Sequence, residues 1–393
     1  MKYDFDEIVE RRGTQSLKYD TEVDLWGRDD LLPLWVADMD FRTPPFIMEA
    51  INGKMQQGIL GYTVPDEKYF SSFIDWSKRR YGMELKREEI HYIPGIVPGI
   101  YMLMNALTSP GDKVMIQPPV YHPFRQVTEA TGRQVVNNRL KIEDGRYVMD
   151  YEAMERDMPG CKLIILCNPH NPGGRVWSEG ELSRLADIAA KNGTLVISDE
   201  IHADMTFPPL RHLPFAAVSA AARNNAVTLM APTKTFNLPG VVSSQVIVFD
   251  DKLREKIFSY LDNNHIGGGN VFGYAAAAAA YSPEGEEWLG QMLEYVKANI
   301  SYIDDFLKTN TPKIKAMNPE ASFLIFLDCR ELGLASQSDI ESFFANDAHL
   351  GLNTGVMFGP GGEGWMRINT ASPRSIIEQA MKNLKQAYDA RRF

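Results

Sequence analysis

Cysteine is scarce: Cys161, Cys167 and Cys329 are the whole complement of a 393-residue chain. An odd, sparse count excludes a disulfide framework and fits a reducing compartment, so a cytoplasmic protein is expected. The spacing is not that of a zinc site. Cys161 and Cys167 flank an apolar run and are expected as buried bystanders. Basic residues are also in deficit, 41 against 51 acidic ones, for a net charge of −10. Nucleic acid and anionic membranes, which both need a basic face, are therefore disfavoured as main partners. No window of about 18 consecutive apolar residues exists, so no membrane span is expected. The opening stretch, MKYDFDEIVERRG, has no apolar core, and no signal peptide is expected. Internal repeats and low-complexity linkers are missing too. With 44% hydrophobic and 23% charged residues, the composition is that of a globular protein.

What is there is an alternation of short apolar runs and helical patterns between about residues 90 and 250. The runs are Lys113–Gln117, Lys162–Cys167, Thr194–Ser198, Ala226–Met230 and Ser244–Phe249. Several are continuously apolar, as strands covered on both faces by crossover helices are. One crossover helix is well marked. Ser178 and Glu181 form a capping box, Leu182, Leu185, Ala186, Ile188 and Ala189 make one stripe, and Asn192-Gly193 supplies the stop. Strand, helix and strand in this order predict an α/β layered fold with a mainly parallel sheet. From about residue 285 the pattern changes. A long helix is expected over Glu286–Lys308, a strand over Ser322–Asp328 and a closing amphipathic helix over Ser375–Ala390. The expected organisation is an N-terminal arm (1–45) contributing to a smaller domain, a large α/β domain (46–284) and a small α+β domain (285–393).

In open α/β sheets chemistry gathers where strands end. Each run is followed by residues that bear on this. After Cys167 comes Asn168-Pro169-His170-Asn171-Pro172-Gly173-Gly174, a sharply shaped loop whose Asn171 amide either serves the turn or faces a ligand. After Ser198 comes Asp199, a buried acid that needs a partner, whether a salt bridge or a bound cation. After Met230 comes Ala231-Pro232-Thr233-Lys234-Thr235-Phe236-Asn237. A lysine in that setting is partly desolvated, which favours the neutral amine that forms Schiff bases. Upstream, Pro94-Gly95-Ile96-Val97-Pro98-Gly99 opens a helix whose free Ile96 and Val97 amides suit a phosphate. It is neither a P-loop nor a dinucleotide fingerprint. Tyr121, two residues beyond Pro118-Pro119, either stacks on a flat ring or fills the core.

Taken together, a helix-terminus phosphate site, a stacking aromatic, an Asn, an Asp and a Lys in this order resemble fold-type-I pyridoxal 5′-phosphate (PLP) enzymes, the aspartate aminotransferase superfamily. Leu34-Trp35-Val36-Ala37-Asp38-Met39-Asp40-Phe41, Gly61-Tyr62-Thr63, Cys167-Asn168-Pro169-His170-Asn171-Pro172, Asp199-Glu200-Ile201-His202 and Thr233-Lys234-Thr235-Phe236-Asn237 are similar to the MalY/PatB-type cystathionine β-lyases, or C–S lyases. Trp365-Met366-Arg367-Ile368-Asn369 resembles the carboxylate-binding motif of the superfamily. The resemblance implies the three-layer type I PLP-transferase fold and a homodimer. It implies that Lys234 holds PLP covalently and moves protons once released, that Asp199 pairs with the pyridine nitrogen, and that Asn171 donates to the ring hydroxyl. Tyr121 would stack on the ring, with His202 beside it. Ile96, Val97, Thr233 and Tyr62 would hold the phosphate, Tyr62 crossing from the partner subunit. Arg367 would grip the substrate carboxylate, joined by the Ala37 amide. Two positions depart from the superfamily pattern. Ala231 stands where a serine is frequent, and Val242 where a phosphate-binding arginine is frequent. His202 stands where aminotransferases often carry tyrosine, and read alone it is equally a packed histidine.

The implied activity is α,β-elimination from an S-substituted cysteine, giving a thiol, pyruvate and ammonia, because a thiol with a pKa of roughly 8.5 leaves readily as thiolate. The alternatives are an aminotransferase, which would want a second cation such as Arg42 or Arg125, and a PLP-fold binding or regulatory module. The loops expected to shape the distal pocket are residues 20–40, 263–270 and 351–364.

Overall fold

The computed structural model describes residues 2–393. Its large sheet has seven strands: β1 (Ile90–Ile93), β2 (Lys113–Ile116), β3 (Gln134–Asn137), β4 (Cys161–Cys167), β5 (Leu195–Asp199), β6 (Ala226–Met230) and β7 (Ser244–Val248). Their order is β1-β7-β6-β5-β4-β2-β3. All pairings from β6 through β3 are parallel. The run at Ser244 differs from expectation: β7 lies antiparallel to both neighbours, although it is buried like the others. β1 and β3 have no counterpart among the expected runs. The sequences IHYI and QVVN are short and mixed, and β3 lies at an edge with its ends exposed.

The continuous apolar runs follow from burial on both faces. Along β4, Leu163, Ile165 and Cys167 enter one core cluster while Ile164 and Leu166 enter the other, as a period of two requires. The helix Glu179–Asn192 is capped as read, with Ser178 and Glu181 in a reciprocal box and Gly193 left-handed at φ 64°.

A second sheet is antiparallel. Its strands are β8 (Lys315–Met317), β9 (Leu324–Asp328), β10 (Asn353–Thr354) and β11 (Trp365–Asn369), in the order β8-β9-β11-β10. The helices Pro283–Asn310 and Arg374–Arg391 share its core. The N-terminal segment does not stand apart. Leu32–Pro33 pairs in parallel with Leu350–Gly351, and Asn369 on β11 bonds to Leu34 through its backbone amide at 2.8 Å. No helix among the described residues is long and apolar enough to cross a membrane.

Candidate active site

Parallel strands place their carboxyl ends on one edge, and the chain exploits this four times. Cys167 and Asp199 are register partners, as are Asp199 and Leu229. The loop after β4 therefore brings Asn171 beside Asp199, and the short helix after β6, Pro232–Thr235, brings Lys234 beside both. The segment after β2 carries Tyr121, whose amide donates to the Asn171 carbonyl at 3.1 Å. β1 points the same way and feeds the helix Ile96–Leu107 through Gly95, at φ 121°.

These ends surround a cleft of about 430 Å³. Ala37, Ile96, Val97, Tyr121, Asn171, Asp199, His202, Lys234 and Arg367 all line it. Thr233 is buried next to Lys234 without forming a wall, and Tyr62 is fully exposed outside the cleft of its own chain. Reading the sequence missed several walls. Cys167, expected as a bystander, faces the cleft, as do Leu17 and His122; Trp35, Asn353 and Met357 line it from the segments 20–40 and 351–364 expected to shape the pocket, whereas no residue of 263–270 does. Asn353 in particular carries no local signal: it matters because it is the register partner of Arg367.

Arg367 is buried and almost fully engaged. Its Nη1 donates to Asn171 Oδ1 at 3.1 Å, and its Nη2 donates to Asn353 Oδ1 at 2.5 Å and to the Trp35 carbonyl at 3.0 Å. Its Nε has no partner among the described residues. A buried guanidinium N–H left free costs energy unless a ligand takes it, and a carboxylate suits it. Burial lowers the guanidinium to about 10.

Burial likewise lowers Lys234 to about 8, against partial restoration by the Asp38 charge. The amine donates to the Ala37 carbonyl at 2.5 Å. Asp199 moves the other way. Burial raises it to about 7, opposed by the Ile201 amide and the charge of Lys234. A buried acid with one backbone donor is a place that wants a cationic or protonated nitrogen. His202 is neutral, driven to about 3 by burial and the nearby cations, and its Nδ1 has no partner. A buried amine of lowered pKa, an undercompensated acid, an aromatic wall and a helix N-terminus are features that fit PLP.

Residues 29–384 match the model of the aminotransferase class I and II family. The chain belongs to that family. Within it, this chain is 41% identical to cystathionine beta-lyase PatB of Bacillus subtilis, over 98% of this chain and 99% of that one. It is 29% identical to protein MalY of Escherichia coli over 99% of both. Among solved structures, cystalysin from Treponema denticola, which contains PLP, superposes with a TM-score of 0.95 at 32% identity, covering 99% of this chain and 100% of that one. The PLP-bound C-S lyase from Staphylococcus hominis does so with a TM-score of 0.91 at 33% identity, covering 98% of each. The chain is thus a fold-type-I family member of the MalY/PatB type. Its two departures from the superfamily pattern also have a place: Ala231 caps the helix that carries Lys234, and Val242 sits outside the cleft with a left-handed backbone.

Proposed function

We propose that this chain is a PLP-dependent carbon–sulfur β-lyase acting on S-substituted L-cysteines. The observation that carries the choice within the family is the charge inventory of the cleft. Among the described residues, Arg367 and Lys234 are the only lysine or arginine side chains that line it. Arg42 is spent on Glu7 at 2.7 Å, and Arg125 on Glu129 and Asn137. One cation serves the α-carboxylate and none is left for a second carboxylate. The outer walls, Leu17, Trp35 and Met357, suit an apolar substituent on sulfur.

PLP, when bound, supplies a carbonyl for the amines and a ring that takes up the electron pair left at Cα. The rest falls to the chain's own groups. Lys234 would hold the cofactor and, once free, take the Cα proton as a neutral amine. Asp199 would hold a proton on the ring nitrogen, Tyr121 and His202 would flank the ring, and Asn171 would face its hydroxyl. Ile96, Val97, Thr233 and the partner's Tyr62 would hold the phosphate. Arg367, with the Ala37 amide, would orient the carboxylate so that the Cα–H bond faces Lys234. The C–S bond would then break, Lys234 would pass the proton it took to the thiolate and displace the amine product from the cofactor, and water would convert the released aminoacrylate into pyruvate and ammonia. Relatives named as cystathionine beta-lyases and C-S lyases support this reading.

Residues 46–284 and 285–393 would act as large and small domains, with the arm (1–45) joined to the small one. Three buried free cysteines support a reducing, cytoplasmic setting. The exposed stretch of Ile59, Leu60, Tyr62 and Val64 supports a homodimer in which it is covered. The deciding experiment incubates purified protein and PLP with S-methyl-L-cysteine, first without a keto acid and then with 2-oxoglutarate. Pyruvate in step with thiol is expected. Amino transfer to 2-oxoglutarate with no pyruvate would replace the lyase by an aminotransferase.

A further inference from the structure

The backbone from Leu34 to Phe41 crosses the cleft as a strap, and two asparagines fasten it from opposite sides. Asn237 lies three residues beyond Lys234, in a left-handed conformation at φ 55°. Its Oδ1 accepts from the Met39 amide at 2.9 Å, and its Nδ2 donates to the carbonyls of Met39 at 2.9 Å and Phe41 at 2.8 Å. Asn369 lies two residues beyond Arg367 on β11. Its Nδ2 donates to the carbonyls of Val36 and Asp38, both at 2.6 Å, while its Oδ1 accepts from the Ala371 amide at 2.8 Å. Beside the Asn369 fastening are the two strap carbonyls that meet the side chains of the cleft: Ala37, between Val36 and Asp38, accepts from Lys234, and Trp35, one residue before Val36, accepts from Arg367. The side chains of the same strap are tied down separately. Asp38 and Asp40 pair with Arg11, and Asp40 also with the buried Lys18.

This double fastening exceeds what anchoring an arm requires, since the ion pairs already do that. Each asparagine belongs to the segment that bears Lys234 or Arg367: Asn369 holds the backbone on either side of Ala37, and Asn237 holds its continuation at Met39 and Phe41. We propose that Asn237 and Asn369 are positioning residues that set the strap relative to Lys234 and Arg367, so that the backbone of Trp35 and Ala37 aligns Arg367 with the substrate carboxylate. The inference rests on the reading of the cleft as an amino-acid site. A carboxylate held by one well-aimed guanidinium loses binding steeply when the aim is lost, because the bonds are directional.

The test uses the holoenzyme and two half-substrates that cannot eliminate. One is 3-(methylthio)propanoate, with a carboxylate and no amine. The other is 2-(methylthio)ethylamine, with an amine and no carboxylate. Calorimetric Kd values are measured for wild type, Asn369→Ala and Asn237→Ala. The near-isosteric Asn369→Leu, which fills the same space and removes both strap bonds without adding a buried charge, covers the event that an alanine variant does not fold. The carboxylate probe should weaken about tenfold or more, the usual cost of misplacing a hydrogen bond to a charged group. The amine probe should stay within about twofold, because it makes no use of Arg367. Equal weakening of both probes would reduce the asparagines to structural anchors and overturn the proposal, as would no change in either. Binding is read without turnover, so the result stands apart from whether pyruvate is formed. Missing pyruvate with intact carboxylate binding would sink the lyase reading and leave this one standing.

Discussion

Lys234 and Arg367, 133 positions apart in sequence, donate to carbonyls only two residues apart, those of Ala37 and Trp35. The two side chains are therefore gauged against one short piece of backbone rather than against each other. Direct contact between two buried cations would be repulsive, and a shared row of carbonyl dipoles lets both sit in one cleft.

The state of Lys234 sets the first prediction. Burial lowers its amine to about 8. The neutral form reacts with aldehydes, so in protein stripped of cofactor the rate of PLP capture should rise with pH and level off above about 8. An ordinary lysine would keep rising toward roughly 10.4. Stopped-flow absorbance across pH 6–10 would be read on the order of seconds, with Lys234→Ala capturing nothing at this site. A midpoint at the ordinary lysine value would contradict the desolvated setting.

Asn353 braces Arg367 through its Oδ1 at 2.5 Å. Asn353→Ala frees a guanidinium donor inside the protein and loosens the aim of the fork. The expected effect is a rise in KM for S-methyl-L-cysteine of about tenfold with a smaller change in kcat, in line with about 1.5–3 kcal/mol for a charged hydrogen bond. Arg367→Lys should be worse, about a hundredfold in kcat/KM, because an ammonium cannot reproduce the planar fork. Steady-state kinetics on both variants decide it.

Tyr62 tests the dimer. The Lys234→Ala and Tyr62→Ala variants are each expected to be impaired. Unfolded together and refolded as hybrids, they should regain activity. If Tyr62 serves the partner's cleft, one site of the hybrid carries both defects and the other carries neither. Hybrids no more active than the parents would place Tyr62 outside the partner's site.

Asp40 is nearly fully buried, and burial by itself would raise its carboxyl. Lys18 at 2.7 Å, Ser372 and Arg11 outweigh that and hold it below the ordinary carboxylate value. A lowered folded-state pKa stabilises above the unfolded value and loses that contribution as pH falls through the folded one. Asp40→Asn should therefore cost about 3–5 kcal/mol near neutral pH, as breaking one partner of a buried pair does. The gap to wild type should narrow once pH drops below the ordinary aspartate value of about 3.9. Urea unfolding at pH 7 and below pH 4 measures both.

Much of the large sheet was legible because its strands are short continuous apolar runs, and such runs have few other fates in a globular chain. The capping box at Ser178 was legible for a similar reason: it is a local device, complete within four residues. Lys234, Asp199 and Asn171 stood out because each follows a run, and a parallel sheet sends every such end to one edge. β7 looked like its neighbours because burial fixes composition on both faces and says nothing of direction. Cys167 looked like filler because a strand's last residue faces either core or cleft according to what its neighbours leave open.

Local periodicity and tolerance of burial, both written in the residues, were enough for most of the central strands, the capped helix and the chemical types gathered where the strands end. Folding in three dimensions alone set Asn353 against Arg367, Asn237 and Asn369 on one strap, and Arg42 and Arg125 on partners outside the cleft. Those relations join residues tens to hundreds of positions apart through directional hydrogen bonds. Their existence depends on angles and distances of a few tenths of an ångström, which no local pattern of residue types encodes.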